Sequence, residues 1–247
     1  MIYAAVLAGG IGSRMGADKP KQFLEFGVKP VIVHTIERFI DCDAIDRVIV
    51  MTPAEWCRYT VELLAKHFEN TDVQLFDPSQ SCRDGKLVVA PGGSTRNETL
   101  MNAIAVIEAD GNLDDGTIIV THDAVRPFVT DRMIRENITA AKNTGACETA
   151  FPATDTIIET DDGQLVASVP DRSRLWMVQT PQTFRAKRLR ELYMSLTEDE
   201  KEVLTDAARI YVMKGQPVGI VKGESWNIKI TYPQDIEIAE AIYRRSL

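Results

Sequence analysis

The sequence predicts an α/β protein built on a mostly parallel sheet. Three observations carry that expectation: strand-length apolar runs alternate with helix-length segments, the first run stops at a glycine-rich loop, and the alternation is interrupted once by a polar stretch with a hairpin signal. Residues 2–8 form a buried strand ended by Gly9-Gly10. A helix follows over 30–40, with proline in its first turn and Val31, Thr35 and Phe39 at helical spacing. Residues 47–52 are a second strand and 53–68 a second helix. Residues 70–86 read as a loop, because Asp77-Pro78-Ser79 and Asp84-Gly85 are turn signals. A short strand at 87–90 precedes a helix at 95–109 with Leu100, Ile104 and Ile107 on one face. Residues 117–121 are the next strand and 130–144 the next helix, so the strands are joined by crossovers.

The rhythm breaks after the apolar run 146–151. Segments 156–159 and 164–168 flank Asp161-Asp162-Gly163, a hairpin signal, so residues 152–175 are expected to form a β-arm inserted in a single domain spanning 1–247. Alternation then resumes with a strand at 176–179, helices over 185–196 and 200–214, a strand at 217–221 and a helix from Pro233.

Charge and composition narrow the function. Twenty-eight basic against thirty-six acidic residues give a formal charge of −8 and a pI near 5.0. That balance disfavours nucleic acid or an anionic membrane as partner, yet allows a local basic pocket. Hydrophobic residues at 45% and charged ones at 26% exclude fibrous, disordered and disulfide-scaffold classes. No apolar run approaches the roughly 20 residues that span a bilayer, and Met1–Leu7 lacks the basic lead of a signal peptide. Cys42, Cys57, Cys82 and Cys147 lie far apart without a Cys-x-x-Cys pair, which argues against zinc and fits a reducing cytoplasm.

The strongest local signal follows the first strand: Leu7-Ala8-Gly9-Gly10-Ile11-Gly12-Ser13-Arg14-Met15-Gly16, then Lys19-Pro20-Lys21-Gln22. Successive backbone N–H groups in such a turn can cradle phosphate. No register supplies the P-loop pattern. The dinucleotide fingerprint fails as well, because Met15 stands where a third glycine or alanine belongs and the second strand ends without an acid. Arg14, Lys19 and Lys21 are either a solvated basic loop or cations that neutralise a triphosphate as charge develops on it.

The glycine loop, followed by Pro20-Lys21-Gln22-Phe23, resembles the opening of the sugar-phosphate and polyol-phosphate cytidylyltransferases. Three further stretches extend the resemblance in the same order: 91–99 (Pro-Gly-Gly-Ser-Thr-Arg-Asn-Glu-Thr), 121–128 (Thr-His-Asp-Ala-Val-Arg-Pro-Phe) and 226–231 (Trp-Asn-Ile-Lys-Ile-Thr). Together they cover essentially the whole chain. The resemblance implies a three-layer, Rossmann-like nucleotidyltransferase fold that uses CTP and Mg2+. It implies catalytic roles for Arg14 and Lys21, and nucleotide binding by Leu7, Ala8, Gly9, Gly10 and Gly12. It further implies nucleotide contacts from Gly92, Gly93, Ser94, Arg96 and Thr99 in the second loop, and from Asp123 and Ala124. Asp123 is also the candidate metal ligand. Arg126, Thr156, Arg172, Thr180 and Lys229 are implied on the acceptor, with Arg172 reaching across a homodimer whose β-arms are exchanged.

Plainer readings stand beside these. Ser94 suits a helix N-cap, Lys229 a surface position on a late strand, and the arm a surface loop with scattered charges. His122 has no serine elbow and reads as a hydrogen-bonded structural histidine, while His34 and His67 lie in helices. A nucleotide-binding regulator and a dinucleotide-dependent oxidoreductase are the readings from other classes.

Two subfamilies compete, one coupling CTP to 2-C-methylerythritol 4-phosphate for isoprenoid precursors, the other to ribitol 5-phosphate for cell-wall polyol polymers. Gly9, the Val125 form of the His-Asp segment, and Ala207 directly after Thr205-Asp206 are similar to the ribitol group. The short Gly16–Pro20 stretch and Asp171-Arg172-Ser173-Arg174-Leu175-Trp176 resemble the isoprenoid type. The sequence expectation is CDP-ribitol formation, with methylerythritol phosphate as the alternative acceptor.

Overall fold

The computed structural model of the chain describes residues 1–10, 19–78 and 85–246. In chain order the elements are β1 (Ile2–Leu7), β2 (Glu25–Phe26), β3 (Lys29–Pro30), α1 (Val31–Ile40), β4 (Arg47–Thr52), α2 (Cys57–His67), β5 (Val73–Leu75) and β6 (Leu87–Pro91). They continue as α3 (Arg96–Ala109), β7 (Ile118–Asp123), α4 (Asp131–Thr144), β8 (Ala146–Pro152), β9 (Trp176–Arg185) and α5 (Ala186–Met194). Last come α6 (Glu198–Glu202), α7 (Ala208–Met213), β10 (Gly219–Lys222) and α8 (Pro233–Ser246).

Eight strands form one sheet in the order β10-β8-β9-β7-β1-β4-β6-β5. Only β9 runs antiparallel to its neighbours, β7 and β8. The period of two along each strand builds a three-layer molecule. Ala4 and Val6 of β1, with Val48 and Val50 of β4, pack on one face against Ile32 and Phe39 of α1 and Met133 of α4. Tyr3, Ala5, Ile49 and Met51 point the other way, onto Leu100, Ile104 and Ile107 of α3 and Leu189 of α5. Strands buried on both faces are why these runs look uniformly apolar in sequence. A smaller cluster of Phe26, Val125, Phe128 and Ile230 seats α8 beside the β2–β3 hairpin.

The alternation predicted from sequence holds along most of the chain, with four differences. Part of the expected 70–86 loop is the edge strand β5, which pairs with β6 through three residues and is too short to show a period. The expected helix 200–214 is two helices, because Asp206 takes the N–H of Arg209 and starts α7 afresh. Residues 228–231 are not a strand; their backbone is held from the side, as in the 2.9 Å bond from Ile230 N to Val125 O. The expected arm has a single β-bridge, Glu159 to Ser168, in place of two full strands. Leu165, Val166 and Val169 in it are 75%, 57% and 61% exposed, so this chain gives them no surface to pack on. Cys42, Cys57 and Cys147 are buried and unpaired, and Cys82 lies outside the described residues. Among the described residues no helix is long and apolar enough to cross a membrane.

Candidate active site

Parallel strands place their carboxyl ends together, and here β1, β6 and β7 open onto one cleft of about 330 Å³. Its first wall is the chain leaving β1. Leu7, Ala8, Gly9 and Gly10 line it, held by a 2.7 Å bond from Ala8 N to Met51 O and by the buried Gln22 side chain, whose Nε2 donates to Ala8 O at 2.8 Å. Lys21 lies in the 3-10 turn Lys21–Phe23, largely buried, and lines the same wall.

The second wall is the β6–α3 connection. Gly92 N donates to Thr52 O at 2.8 Å, and Gly93 N to the Thr99 hydroxyl at 3.0 Å. A Cβ on Gly93 would stand 2.5 Å from Glu98 Cβ and 2.9 Å from its carbonyl carbon, so only glycine lets this loop lie against the first turn of α3. Thr95, not Ser94, is the N-cap, in a capping box with Glu98. Glu98 also receives the Ser94 hydroxyl and backbone N–H, and these bonds lower its carboxyl pKa. The cap aims the start of α3, and with it Arg96, into the cleft.

The floor is Asp123 at the end of β7. Its carboxylate meets Lys229 Nζ at 2.9 Å, with Arg96 and Arg126 each at 3.5 Å. Burial alone would raise the pKa of this carboxyl, but the charges of Arg96, Lys229 and Arg126 outweigh it and hold the group well below the carboxylate range. His122 beside it is fully buried. Its Nδ1 is 2.9 Å from the Thr180 hydroxyl, its Nε2 2.9 Å from Arg126 O, and burial lowers its pKa to about 4. It is a neutral, structural imidazole, as the sequence predicts.

Lys229 reaches Asp123 because Asn227 anchors the segment before it. Asn227 Nδ2 donates to Thr180 O at 2.9 Å and to Gln179 Oε1 at 3.2 Å, and Arg126 Nη1 donates to Asn227 O at 2.9 Å. Of the residues singled out from sequence, Leu7, Ala8, Gly9, Gly10, Lys21, Gly93, Ser94, Arg96, Thr99, Asp123 and Lys229 line one cleft. Gly92, Ala124 and Arg126 stand directly behind it.

Besides Arg126, three more expected acceptor residues do not line it. The Thr180 hydroxyl faces His122 and accepts the Asp123 N–H at 3.1 Å, a supporting position. Thr156 is exposed on the arm, and Arg172, also exposed, donates to Thr154 O at 2.8 Å. Gly12 and Arg14 lie outside the described residues. Sequence reasoning gave no role to Gln22, Thr95, Gln179 and Asn227, although Gln22, Thr95 and Asn227 lie in the resembling stretches and Thr95 also has the Thr-x-x-Glu spacing of a capping box.

As a donor set, the cleft fits magnesium in one way. Asp123 is the carboxylate that lines it, and among the described residues no group of three potential ligands could hold a metal by itself. Mg2+ commonly takes one or two carboxylates together with phosphates and waters, so an ion arriving with a triphosphate suits this site.

Cations and a glycine loop around one buried carboxylate, at the C-terminal edge of this sheet, form a site for a phosphate-bearing ligand, and the family that the chain matches makes it a nucleotidyltransferase. The family model described as 2-C-methyl-D-erythritol 4-phosphate cytidylyltransferase matches residues 2–245, and the chain belongs to that family. Its fold is similar to that of 4-diphosphocytidyl-2C-methyl-D-erythritol synthase from Anaerococcus prevotii, at 25% identity over 99% of this chain and 96% of that one, TM-score 0.76. The 2-C-methyl-D-erythritol 4-phosphate cytidylyltransferase of Francisella tularensis matches at 26% identity over 97% and 98%, TM-score 0.74. That of Thermus thermophilus matches at 25% over 99% and 100%, TM-score 0.70.

Behind Arg96, Glu148 of β8 accepts from Gln182 Nε2 at 2.6 Å and sits beside Asp206. Burial and then the Asp206 charge push its carboxyl up to about 7. The folded state therefore holds this proton more tightly than the unfolded chain, so its contribution to stability is lost as pH rises toward 7. Glu148→Gln should raise the melting temperature at pH 8, and the gain should shrink as pH falls and vanish below pH 4.5. Thermal melts across that range check it.

Proposed function

We propose that this cytidylyltransferase moves the cytidylyl group of CTP to 2-C-methyl-D-erythritol 4-phosphate, releasing pyrophosphate. The observation that carries the chemistry is the cation cluster of Arg96, Arg126 and Lys229 on Asp123, opposite the glycine loop. Family membership supports the acceptor, together with the named activities of the similar structures.

A phosphate oxygen of the acceptor attacks the α-phosphorus in line, and pyrophosphate leaves. An acceptor phosphate with a second pKa of about 6 is already mostly a dianion at neutral pH. It needs no general base, which agrees with a neutral, fully bonded His122. What the reaction needs is relief of repulsion between a dianion and a triphosphate. The Leu7–Gly10 loop and the β6–α3 connection border the nucleotide, Lys21 and Arg14 offset charge at the transferring phosphoryl group, and Lys229 meets the acceptor phosphate. Magnesium would enter with CTP, beside Asp123, and supply further charge neutralisation.

Ribitol 5-phosphate is the second reading. It draws on Val125, which borders the cleft, and on Ala207, which is fully buried. Gly9 weighs less, because an added Cβ would find Thr99 Oγ1 at a comfortable 4.0 Å. Pyrophosphate release with CTP and a panel of polyol phosphates tests both readings. The larger kcat/KM is expected with 2-C-methyl-D-erythritol 4-phosphate. A preference for ribitol 5-phosphate would transfer the assignment, and release with no acceptor would overturn it. In the same assay Lys21→Ala and Arg14→Ala should each lower kcat about 10²- to 10³-fold, with a smaller change in CTP KM. A raised KM at unchanged kcat would make either residue a ground-state binder.

The arm supports a homodimer. Leu165, Val166 and Val169 need a cover, and a second copy of the chain is the simplest one. Arg172 and Thr156, which lie outside this chain's cleft, would then serve the partner's acceptor site. Mixing Lys21→Ala with Arg172→Ala subunits tests the sharing. Half of the randomly mixed dimers carry one intact site, so about a quarter of wild-type activity should return. Complete mixing with no recovery would rule it out.

A further inference from the structure

The end of β4 and its connection to α2 supply no side chain to the cleft, yet both glycine loops and the Lys21 turn hang from them. The Met51 carbonyl holds the first glycine loop at Ala8 N, 2.7 Å away, and the Thr52 carbonyl holds the second at Gly92 N, 2.8 Å away. Immediately beyond, the 3-10 turn Ala54–Trp56 carries an aromatic ring to the turn that bears Lys21. Trp56 packs on Phe23 with centroids 5.2 Å apart and planes at 38°, and Tyr59 meets Phe23 edge-on at 5.0 Å. Trp56 and Tyr59 close the triangle at 5.5 Å and 83°.

The turn that carries Lys21 is therefore fixed at two points. Its neighbour Gln22 is tied to the first glycine loop, and Phe23, next along, is held by the two rings. The same aromatic group separates two nearby lysines. Lys19 Nζ lies 6.0 Å from the Tyr59 ring centroid, outside the cleft, whereas Lys21 lines it. Edge-to-face and tilted ring contacts fix orientation as well as contact, which a featureless apolar filler would not do.

We propose that Trp56 is a positioning residue for the known reaction, acting with Tyr59 through Phe23 to aim Lys21 at the transferring phosphoryl group. This rests on the role given to Lys21 above. A displacement of about 1 Å at a reacting group can cost about 100-fold in rate, so loss of the ring should be felt without any contact to substrate.

Trp56→Leu keeps apolar bulk and removes the ring; Trp56→Phe keeps a ring. Trp56→Leu should lower kcat about 10- to 100-fold with little change in CTP KM, and Trp56→Phe should restore most of it. In a Lys21→Ala background, Trp56→Leu should cost nothing further, because the path it acts through is gone. A second measurement needs no turnover. Acetylation of Lys21, followed by mass spectrometry, should run several-fold faster in Trp56→Leu and in Tyr59→Leu, with Lys187 unchanged as internal control. Fully additive losses in the double variant, or Lys21 labelling as slow as in wild type, would overturn the proposal. A wild-type enzyme that released no pyrophosphate would instead overturn the function assigned to the cleft, and the labelling would still decide the role of Trp56.

Discussion

The carboxylate of Asp123 is the charge around which the catalytic edge of the sheet is arranged. Buried at the end of β7, it would be neutral if left alone. It stays ionised because three cations reach it from distant parts of the sequence: Arg96 from the start of α3, Arg126 from the turn after β7, and Lys229 from the segment before α8. Buried ion pairs of this kind seldom repay their desolvation in net stability. They are better understood as an arrangement held ready for a ligand. Asp123 keeps like charges close together before substrate arrives, so a triphosphate meets donors already oriented and little reorganisation remains for the reaction itself.

That arrangement depends on backbone as much as on charge. Arg96 is aimed by a capping box at Thr95, and the cap can form only because Gly93 lies where any side chain would collide with Glu98. Lys229 is aimed by Asn227, whose amide is shared between Thr180 and Gln179 in the middle of β9. Antiparallel β9 is the strand that breaks the parallel order, and it brings Gln179 and Thr180 beneath Asp123. The irregular strand thus supplies the supports, and the regular ones supply the open carboxyl ends.

Much of this was legible in the sequence. Uniformly apolar runs between amphipathic segments identify strands covered on both faces, and the runs at 2–8, 47–52 and 87–90 fall on β1, β4 and β6. Cleft residues were legible where they sit at or just beyond a strand end, as Asp123, Gly9 and Gly93 do. Two-residue strands such as β2 and β3 are too short to show a period. Residues 228–231 have strand-like composition but hang from Val125 and Asp235 instead of a ladder, and no local pattern distinguishes the two. Gln22, Gln179 and Asn227 are ordinary polar residues whose value lies in partners 14 to 48 positions away.

The overall charge gives the cleft a further significance. A chain at −8 repels both anionic substrates at long range, while the cations that attract them are gathered at one end of the sheet. At physiological ionic strength exposed charges are screened beyond about 8 Å, so the distant acidic surface loses most of its effect on a phosphate already at the cleft mouth. The cations in and behind the wall keep theirs, because partly buried charges are screened much less. Selection for anions is therefore a property of the cleft's geometry and not of the protein's net charge. An acidic protein can bring two polyanions together because its positive charges stand where the anions meet.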